Sequence, residues 1–162
     1  MPTLYILCGL PYSGKSLFSR EIERTTFIKR ISFDDTWDEL RRKNKDATYE
    51  MVLYEIEKEL TENLEKGVSV MYDSINLSAE HRNKLAKLAE NAGAQSKIIY
   101  LQISNEELYK RRAQSLIDNT HQNVLSDKEI DNAVNRFEEP DDCIRISTEE
   151  EKKNFLDSLN TI

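Results

Sequence analysis

The chain has 162 residues, with 23 Lys or Arg against 30 Asp or Glu, and its formal charge of −7 argues weakly against broad, non-specific binding to nucleic-acid phosphates. Its length suits a single domain over residues 1–162, and its apolar runs are far shorter than the ~20 residues of a membrane helix, so no membrane partner is expected. The N-terminus has no export-signal pattern, and Cys8 and Cys143 lie in apolar, strand-like runs, which predicts buried thiols and a cytoplasmic location.

Five short apolar runs predict β-strands. The first, Thr3–Cys8, is almost continuously apolar, as expected of a strand buried on both faces of a parallel sheet. The other four runs cover residues 26–32, 68–72, 97–103 and 143–146. Apolar residues at helical spacing lie between the runs, most clearly in residues 48–65 and in the stretch that Gly93 ends. Strands that alternate with helices predict one α/β domain with a parallel sheet of about five strands.

Three helix starts have the spacing of a capping box, in which a hydroxyl accepts from a backbone amide and a glutamate reaches back to the cap residue. They begin at Ser104, Ser126 and Thr148, each followed three residues later by Glu. Residues 112–126 are polar and weakly periodic, which is typical of either a mobile segment or a plain surface loop.

Residues 9–16, directly after the first predicted strand, read Gly-Leu-Pro-Tyr-Ser-Gly-Lys-Ser and match the phosphate-binding pattern Gly-x-x-x-x-Gly-Lys-Ser/Thr in full. Glycine lets the loop turn its backbone N–H groups towards phosphate oxygens without a clash at Cβ, and the amides that open the next helix extend the anion site. Lys15 places a cation on the β- and γ-phosphates, and the Ser16 hydroxyl is a hard oxygen ligand suited to Mg²⁺. The motif therefore predicts a nucleotide-binding site.

The small number of glycines excludes two classes of nucleotide-binding protein. Only four glycines occur, well below the usual share of ~7%, and two of them, Gly67 and Gly93, lie outside the loop. A GTPase switch needs Asp-x-x-Gly, yet Leu64 and Glu90 stand three residues before these two glycines. A transporter-type ATPase signature needs adjacent glycines, and the chain has none. The compact kinase type, in which a small domain transfers a phosphate group to an acceptor, remains.

Phosphoryl transfer needs a base for the acceptor hydroxyl, a carboxylate in the magnesium shell and cations over the transferred group. Asp34 and Asp35 follow the second predicted strand, at the edge where open α/β sheets bind ligands. Asp34 is the candidate base, although either acid suits this role, and the other is expected to cap the next helix. Asp73 closes the third strand, either to hold a magnesium-bound water beside Ser16 or as an ordinary turn residue.

Two adjacent arginines, Arg111 and Arg112, lie late in a predicted helix, just before the polar segment. The planar guanidinium group pairs with phosphate through two hydrogen bonds, which suits a residue that closes over the γ-phosphate. A basic helix end that complements the helix dipole explains the same residues equally well. We expect one of the two arginines to take part in catalysis.

With these pieces in place, the sequence resembles the small P-loop kinases that include phage polynucleotide 5′-kinase, a family often labelled AAA-type ATP-binding proteins. Residues 9–16 fit the family's phosphate loop, residues 31–35 its strand-end Asp-Asp, and residues 107–112 the helix that leads into its arginine-bearing lid. Residues 73–82 are similar to its Asp-Thr-Asn-x-Arg segment, and residues 135–140 to its Arg-Phe-Glu-x-Pro segment after the lid.

The resemblance implies a P-loop NTPase fold with a small lid over about residues 111–126, and an ATP- and Mg²⁺-dependent kinase. The implied acceptor is a hydroxyl group on a small molecule or a nucleic-acid end, and the family's first strand-end Asp, which corresponds to Asp34, is the acceptor base. The chain departs from the family at Tyr12 and Leu17, where many members have Gly and Thr, and near Ser115, where the second lid arginine is missing.

Two functions follow as hypotheses. The kinase hypothesis assigns catalysis to Lys15, Asp34, Arg111 and Arg112, and the metal to Ser16 and Asp73. It assigns ATP contacts to the loop and to the segment after the lid, as follows: Gly9, Leu10, Pro11, Tyr12, Ser13, Gly14, Lys15, Ser16, Leu17 and Arg136. The alternative is a nucleotide-dependent binding or regulatory module that hydrolyses ATP slowly and has no dedicated phosphoryl acceptor.

Overall fold

The computed structural model describes residues 1–118 and 124–160, in which the chain forms five strands and seven helices. The strands are β1 (Thr3–Cys8), β2 (Lys29–Ser32), β3 (Val70–Asp73), β4 (Gln95–Leu101) and β5 (Ile144–Ile146). The helices are α1 (Lys15–Thr25), α2 (Phe33–Lys43), α3 (Tyr49–Glu65), α4 (Ala79–Asn91), α5 (Asn105–Asp118), α6 (Asp127–Arg136) and α7 (Glu149–Leu159). The five predicted strands are confirmed, each with bounds within three residues of those expected.

The strands form one parallel sheet in the order β2-β3-β1-β4-β5. The central strand β1 pairs with β3 on one side and with β4 on the other, and all its residues are buried. The chain builds β2 and β3 on one side of β1, and β4 and β5 on the other. The loop after β1 therefore opens at the carboxyl edge of the sheet, where this class of fold binds ligands.

Both faces of the sheet bury apolar side chains, and the two sets alternate along β1. Leu4 and Ile6 belong to a core that α2, α3 and α4 cover on one face. Tyr5 and Leu7 belong to a second core, which α1 and α7 cover on the opposite face. Burial on both faces explains why this strand has an unbroken apolar sequence instead of an alternating one.

A third and smaller apolar cluster joins the loop after β1 to α5 and α6. Leu10, Leu108 and Ile130 are buried at its centre, and Tyr12 and Leu125 pack against them. Since Leu10 and Tyr12 belong to the loop and the others to α5, α6 or the residues before α6, the cluster holds these helices beside the loop. This apolar cluster therefore supports one side of the loop after β1.

The predicted lid segment begins inside a helix. Residues 111–118 form the last part of α5, and α6 begins at Asp127. Residues 119–123 of the predicted segment lie outside the described part of the chain.

Helix capping follows the sequence at two of the three expected starts. The capping boxes at Ser126 and Thr148 are complete. At Ser104 only half of the box forms: the hydroxyl accepts from Glu107 N at 3.1 Å. The Glu107 carboxylate pairs with Arg111, one helical turn further on, and does not reach back to the cap.

No helix in residues 1–118 or 124–160 is both long and apolar enough to cross a membrane. Cys8 and Cys143 are free thiols. Cys8 is buried in β1 as predicted, but the predicted burial of Cys143 is wrong, because this residue precedes β5 at the edge of the sheet and is only half-buried.

Arg82 is a buried arginine that ties the loop before α4 to the segment after α6, and only 3% of it is exposed. Its guanidinium group donates to Asn76 O at 2.8 Å, to Leu77 O at 2.9 Å and to Glu138 O at 2.6 Å. Carbonyl groups inside a protein need such donors. Arg82 therefore fastens together two segments of the chain that are far apart in sequence.

Replacement of Arg82 by Met should lower the free energy of unfolding by about 3 kcal/mol, because the carbonyl groups that it serves would lose their donor. Urea unfolding at neutral pH measures the change. The control is Lys84→Met on the same helix, where the lysine side chain is 72% exposed. The control should shift stability by less than about 0.5 kcal/mol, and equal losses in the two variants would contradict the structural role of Arg82.

Candidate active site

Two glycines give the loop after β1 its shape. A Cβ on Gly9 would lie only 2.6 Å from Leu101 O of β4 and 2.9 Å from Ser13 Oγ. Gly14 has a φ of 90° and is the N-cap of α1, a backbone conformation that side chains rarely allow. Both motif glycines are therefore required by the backbone itself, before any ligand is considered.

Lys15 folds back over the loop. Its Nζ donates to Gly9 O and Leu10 O, both at 2.8 Å, and to Ser13 Oγ at 3.2 Å. These bonds use all three donors of the ammonium group. These hydrogen bonds hold the positive charge of Lys15 over the loop. The sequence motif predicts that this loop binds phosphate.

The surroundings of Lys15 disfavour its charged form. Enclosure by the loop removes water from the ammonium group and lowers its pKa to about 8, although the negative charges of Asp73 and Asp34 act in the opposite direction. A bound anion would add negative charge and raise the pKa again. Above about pH 8, the charge of this lysine thus depends on an anion at the loop.

Asp73, the last residue of β3, is buried, and one of its carboxylate oxygens is held firmly. Oδ2 accepts from Ser19 Oγ at 2.8 Å, from Arg30 Nη2 at 2.6 Å and from Arg30 Nε at 3.1 Å. Ser19 Oγ also lies 3.1 Å from Ser16 O, which places Asp73 beside the first turn of α1. In residues 1–118 and 124–160 the hydrogen bonds found to this carboxylate all end on Oδ2, so Oδ1 is the oxygen available to a ligand.

Arg30 was not expected from the sequence as a site residue, yet it connects Asp73 to the start of α2. The Arg30 side chain is 6% exposed, and its Nη1 pairs with the Asp35 carboxylate. The signal for it in the sequence is weak: Arg30 is a charged residue inside a predicted strand, where a buried charge would need a partner, but Lys29 beside it is charged as well. The partners of Arg30, moreover, come from β3 and α2, which the local sequence does not reveal.

The N-cap of α2 is Ser32, whose hydroxyl accepts from Asp35 N at 3.3 Å. The expectation that Asp34 or Asp35 caps this helix is therefore wrong. The physical reason is that α2 begins at Phe33, directly after β2, so that both acids already lie in its first turn. There they still complement the positive end of the helix dipole.

Asp34 and Asp35 differ in their surroundings. Asp35 is engaged by Arg30, whereas the described residues offer no hydrogen bond or ion pair to the Asp34 carboxylate. Asp34 is exposed to solvent, but the atoms packed around its carboxyl group and then the charge of Asp73 raise its pKa, while Lys15 lowers it. Of the two acids, Asp34 is the one free to accept a proton.

The two adjacent arginines bind different parts of the chain. Arg111 Nη1 donates to Tyr12 O in the loop at 3.0 Å. Arg112 Nε donates to Leu125 O at 2.9 Å, and its Nη1 pairs with Asp127 at the start of α6. Arg111 therefore lies against the phosphate loop, while Arg112 joins α5 to α6.

Tyr12 has a left-handed backbone conformation, with a φ of 64°. Such a conformation favours glycine, the residue that the resembled family often has here. The Tyr12 side chain compensates through tertiary contacts: its ring packs with Leu10 and Leu108, and its hydroxyl accepts from Leu125 N at 3.3 Å. The loop is thus fastened to the residues before α6 through this side chain.

The remaining predicted ATP contacts divide into two groups. Residues 9–17 all lie in the loop or the first turn of α1, with Leu17 exposed on the outside of that turn. Arg136 is the last residue of α6 and is exposed. Within residues 1–118 and 124–160, no hydrogen bond joins Arg112 or Arg136 to the loop.

The oxygen donors at the site suit Mg²⁺ better than they suit a metal ion that is bound by several protein side chains. Nowhere in the described part of the chain do three or more His, Cys, Asp or Glu side chains cluster so that they could hold a metal ion. Mg²⁺ keeps several waters and is usually bound by one or two protein oxygens together with substrate phosphates. The Ser16 hydroxyl and Asp73 Oδ1 are oxygen donors of the chemical kind that Mg²⁺ prefers.

A parallel sheet of order β2-β3-β1-β4-β5, with a Gly-Lys-Ser loop after its central strand and an acid at the end of β3, defines the fold of P-loop kinases. The sequence profile of a family described as an AAA domain matches residues 4–140, and the chain belongs to this family. The expected resemblance to small, AAA-type P-loop kinases is therefore confirmed. None of the curated proteins matches the chain significantly.

Solved structures share this fold over almost the whole chain. Kti12 of Chaetomium thermophilum, in complex with ADP-AlF3, has a TM-score of 0.71 and 20% identity over 98% of this chain and 97% of that chain. A putative kinase from Chloroflexus aurantiacus has a TM-score of 0.76 and 14% identity, over 99% and 97% of the two chains. The APS kinase CysC of Mycobacterium tuberculosis, in complex with AMPPNP and APS, has a TM-score of 0.69 and 20% identity over 98% of each chain.

Replacement of Arg30 by Met should lower the free energy of unfolding by about 3–5 kcal/mol, because it leaves the Asp73 carboxylate buried without its cation. Urea unfolding of the single variant, of Asp73→Asn and of the double variant tests the pair as a cycle, and the double variant should cost less than the sum of the singles. Lys29→Met, the neighbouring strand position with an exposed side chain, is the control. Additive losses in the cycle would show that the two side chains do not depend on each other.

Proposed function

We propose that the protein is an ATP- and Mg²⁺-dependent P-loop kinase that transfers the γ-phosphate of ATP to a hydroxyl group of an acceptor. The acceptor is either a small molecule or a nucleic-acid end, and the free thiols suit the reducing conditions of the cytoplasm. The fold and the phosphate loop support nucleotide binding. The acids whose charges act on Lys15 support a base for the attacking hydroxyl group.

The observation that carries the proposal is the convergence of three charged groups from different elements. Lys15 of α1, Asp73 of β3 and Asp34 of α2 lie near enough that the charges of both acids act on the pKa of Lys15. Asp34 is the accessible member of this group, and its raised pKa suits a group that takes up a proton. A P-loop that only binds a nucleotide has no need for such an acid.

The proposed reaction follows from these positions. The loop amides and Lys15 bind the β- and γ-phosphates, and the acceptor hydroxyl approaches from the side of α2. Asp34 accepts the hydroxyl proton as the acceptor oxygen attacks the γ-phosphorus, while the bond from that phosphorus to the bridging oxygen breaks and ADP leaves. Arg111, which lies against the loop, is the nearer of the two arginines to the charge that develops on the transferred group.

Ser16 and Asp73 would hold the metal ion with the phosphates. When bound, Mg²⁺ neutralises charge on the phosphate oxygens. The part of this chain is to fix the ligand oxygens: Arg30 and Ser19 hold Asp73 Oδ2, so that the carboxylate presents Oδ1 in one orientation. Orientation of this kind costs nothing further at the moment of reaction.

A second candidate function is a regulatory module in which nucleotide binding changes the contact with a partner. It is favoured by Tyr12, whose carbonyl accepts from Arg111 and whose hydroxyl accepts from Leu125 N, so that the loop holds both α5 and the residues before α6. If the loop moved on nucleotide binding, α5 and the residues before α6 would therefore be displaced with it. This function needs no acceptor and no base.

Asp34→Asn distinguishes the two functions. For a kinase, the variant should lose at least about 100-fold in the rate of transfer, because the proton acceptor is removed, while ADP affinity stays within about twofold. ADP release is measured with a panel of 5′-OH oligonucleotides, nucleosides, sugars and aminoglycosides. The control is Asp38→Asn, one turn further along α2.

The regulatory module predicts instead that neither rate nor affinity changes in Asp34→Asn. If no acceptor raises ADP release above the background with water, the kinase proposal fails. Among acceptors that do, a polynucleotide should lose affinity steeply as salt rises, whereas a neutral small molecule should not.

Nucleotide binding should depend on pH through Lys15. Its pKa of about 8 in the free protein means that the lysine is charged at pH 7 and mostly neutral at pH 9. Binding of ADP above pH 8 should therefore take up a proton, and affinity should fall up to about tenfold per pH unit. Calorimetry in buffers of different ionisation enthalpy measures the number of protons that are taken up when ADP binds.

Lys15→Arg is the matched control, because arginine stays charged throughout this range. Its affinity should no longer fall between pH 8 and 9, whatever its absolute value. A pH dependence that is the same in both proteins would show that Lys15 is not the titrating group.

A further inference from the structure

Lys152 is a second lysine beside the phosphate loop. It lies in the first turn of α7, and its Nζ lies 3.9 Å from the position that a Cβ on Gly14 would take. The side chain is charged but only 25% exposed. The loop motif gives no hint of this residue, because Lys152 reaches the loop only through the packing of α7 against the sheet.

The partner of Lys152 within the protein is a solvent-exposed carboxylate. Nζ pairs with Glu149 Oε1 at 2.9 Å, and the Glu149 side chain is 88% exposed. Exposed pairs of this kind contribute little to stability. Lys152 is therefore not fixed here by a strong internal partner, and a competing anion can take the place of the glutamate.

The cations around Glu149 favour a negative charge at its position. The hydrogen bond and the charge of Lys152, and after them the charge of Arg111, lower its pKa. Arg111 donates to Tyr12 O, while Lys152 lies above Gly14, so the two cations reach the loop from α5 and from α7. A phosphate group at this point would meet both.

We propose that Lys152 is a second cation that binds the phosphate chain of a nucleotide at the loop, and that Glu149 is a resident anion which the phosphate replaces. The proposal rests on nucleotide binding as proposed above. It adds a residue from the C-terminal helix to a site otherwise built from the first half of the chain and from α5. The exchange of one anion for another leaves Lys152 paired before and after binding.

The test compares ADP affinity, measured by calorimetry, in the wild-type protein, Lys152→Gln and Lys153→Gln. Lys153 is the next residue on α7 and is exposed, so its variant removes the same charge from the same helix. Lys152→Gln should weaken ADP binding about tenfold, the usual effect of losing one charged hydrogen bond. Lys153→Gln should change it less than about twofold, and equal effects in the two variants would overturn the proposal.

Glu149→Gln separates binding from a merely structural role. Removal of the resident anion should leave ADP affinity unchanged or increase it. If Glu149→Gln weakens binding as much as Lys152→Gln does, the ion pair only holds α7 in place and the proposal is wrong.

Tripolyphosphate, which has neither base nor ribose, tests the phosphate contact in competition with a fluorescent ADP analogue. Its affinity should fall in Lys152→Gln to the same extent as that of ADP, and a loss confined to ADP would overturn the phosphate contact. Failure of the wild-type protein to bind ADP would overturn nucleotide binding itself. The two failures are therefore distinguishable.

Discussion

The close approach of Gly9 to the backbone of β4 is the constraint on which the site depends. Any side chain at this residue would collide with Leu101 O, which a Cβ would approach to 2.6 Å. With glycine, the chain leaves β1 in a tight turn, and its first two carbonyl oxygens accept from Lys15. The same turn starts α1 at the edge of the sheet, so that the positive end of its dipole faces the loop. One packing constraint thus sets both the helix terminus and the lysine.

The charged groups around the loop are arranged for orientation more than for stability. A buried ion pair such as Arg30–Asp73 gains little free energy over apolar packing, because both groups lose their water. It does fix geometry, since three hydrogen bonds hold a single oxygen of Asp73. Lys15 shows the complementary case: its charge is poorly solvated in the free protein, with a pKa of about 8, and a phosphate would relieve this. The site is thus ordered around Asp73 and electrostatically incomplete around Lys15.

The sequence predicts what depends on local pattern and fails where distant segments meet. The strand Thr3–Cys8 and the loop motif are local, since burial on both faces produces the apolar run and backbone geometry demands the glycines. The place of Asp34 directly after a strand makes it a candidate site residue from the sequence alone, but the contact of its neighbour Asp35 with Arg30 depends on how β2, β3 and α2 come together. Lys152 depends on the packing of α7 against the opposite end of the chain. No local pattern records either contact.

Tyr12 shows how a departure from the family pattern acquires a structural role. A non-glycine residue in the left-handed region costs on the order of 1–3 kcal/mol, and glycine at this position would avoid that cost. The side chain offsets it by packing into the cluster around Leu108 and by binding Leu125 N through its hydroxyl. Because Tyr12 O also accepts from Arg111, the conformation of the loop and the position of α5 are no longer independent. In this chain the phosphate loop is therefore fastened through one residue both to α5 and to the residues before α6.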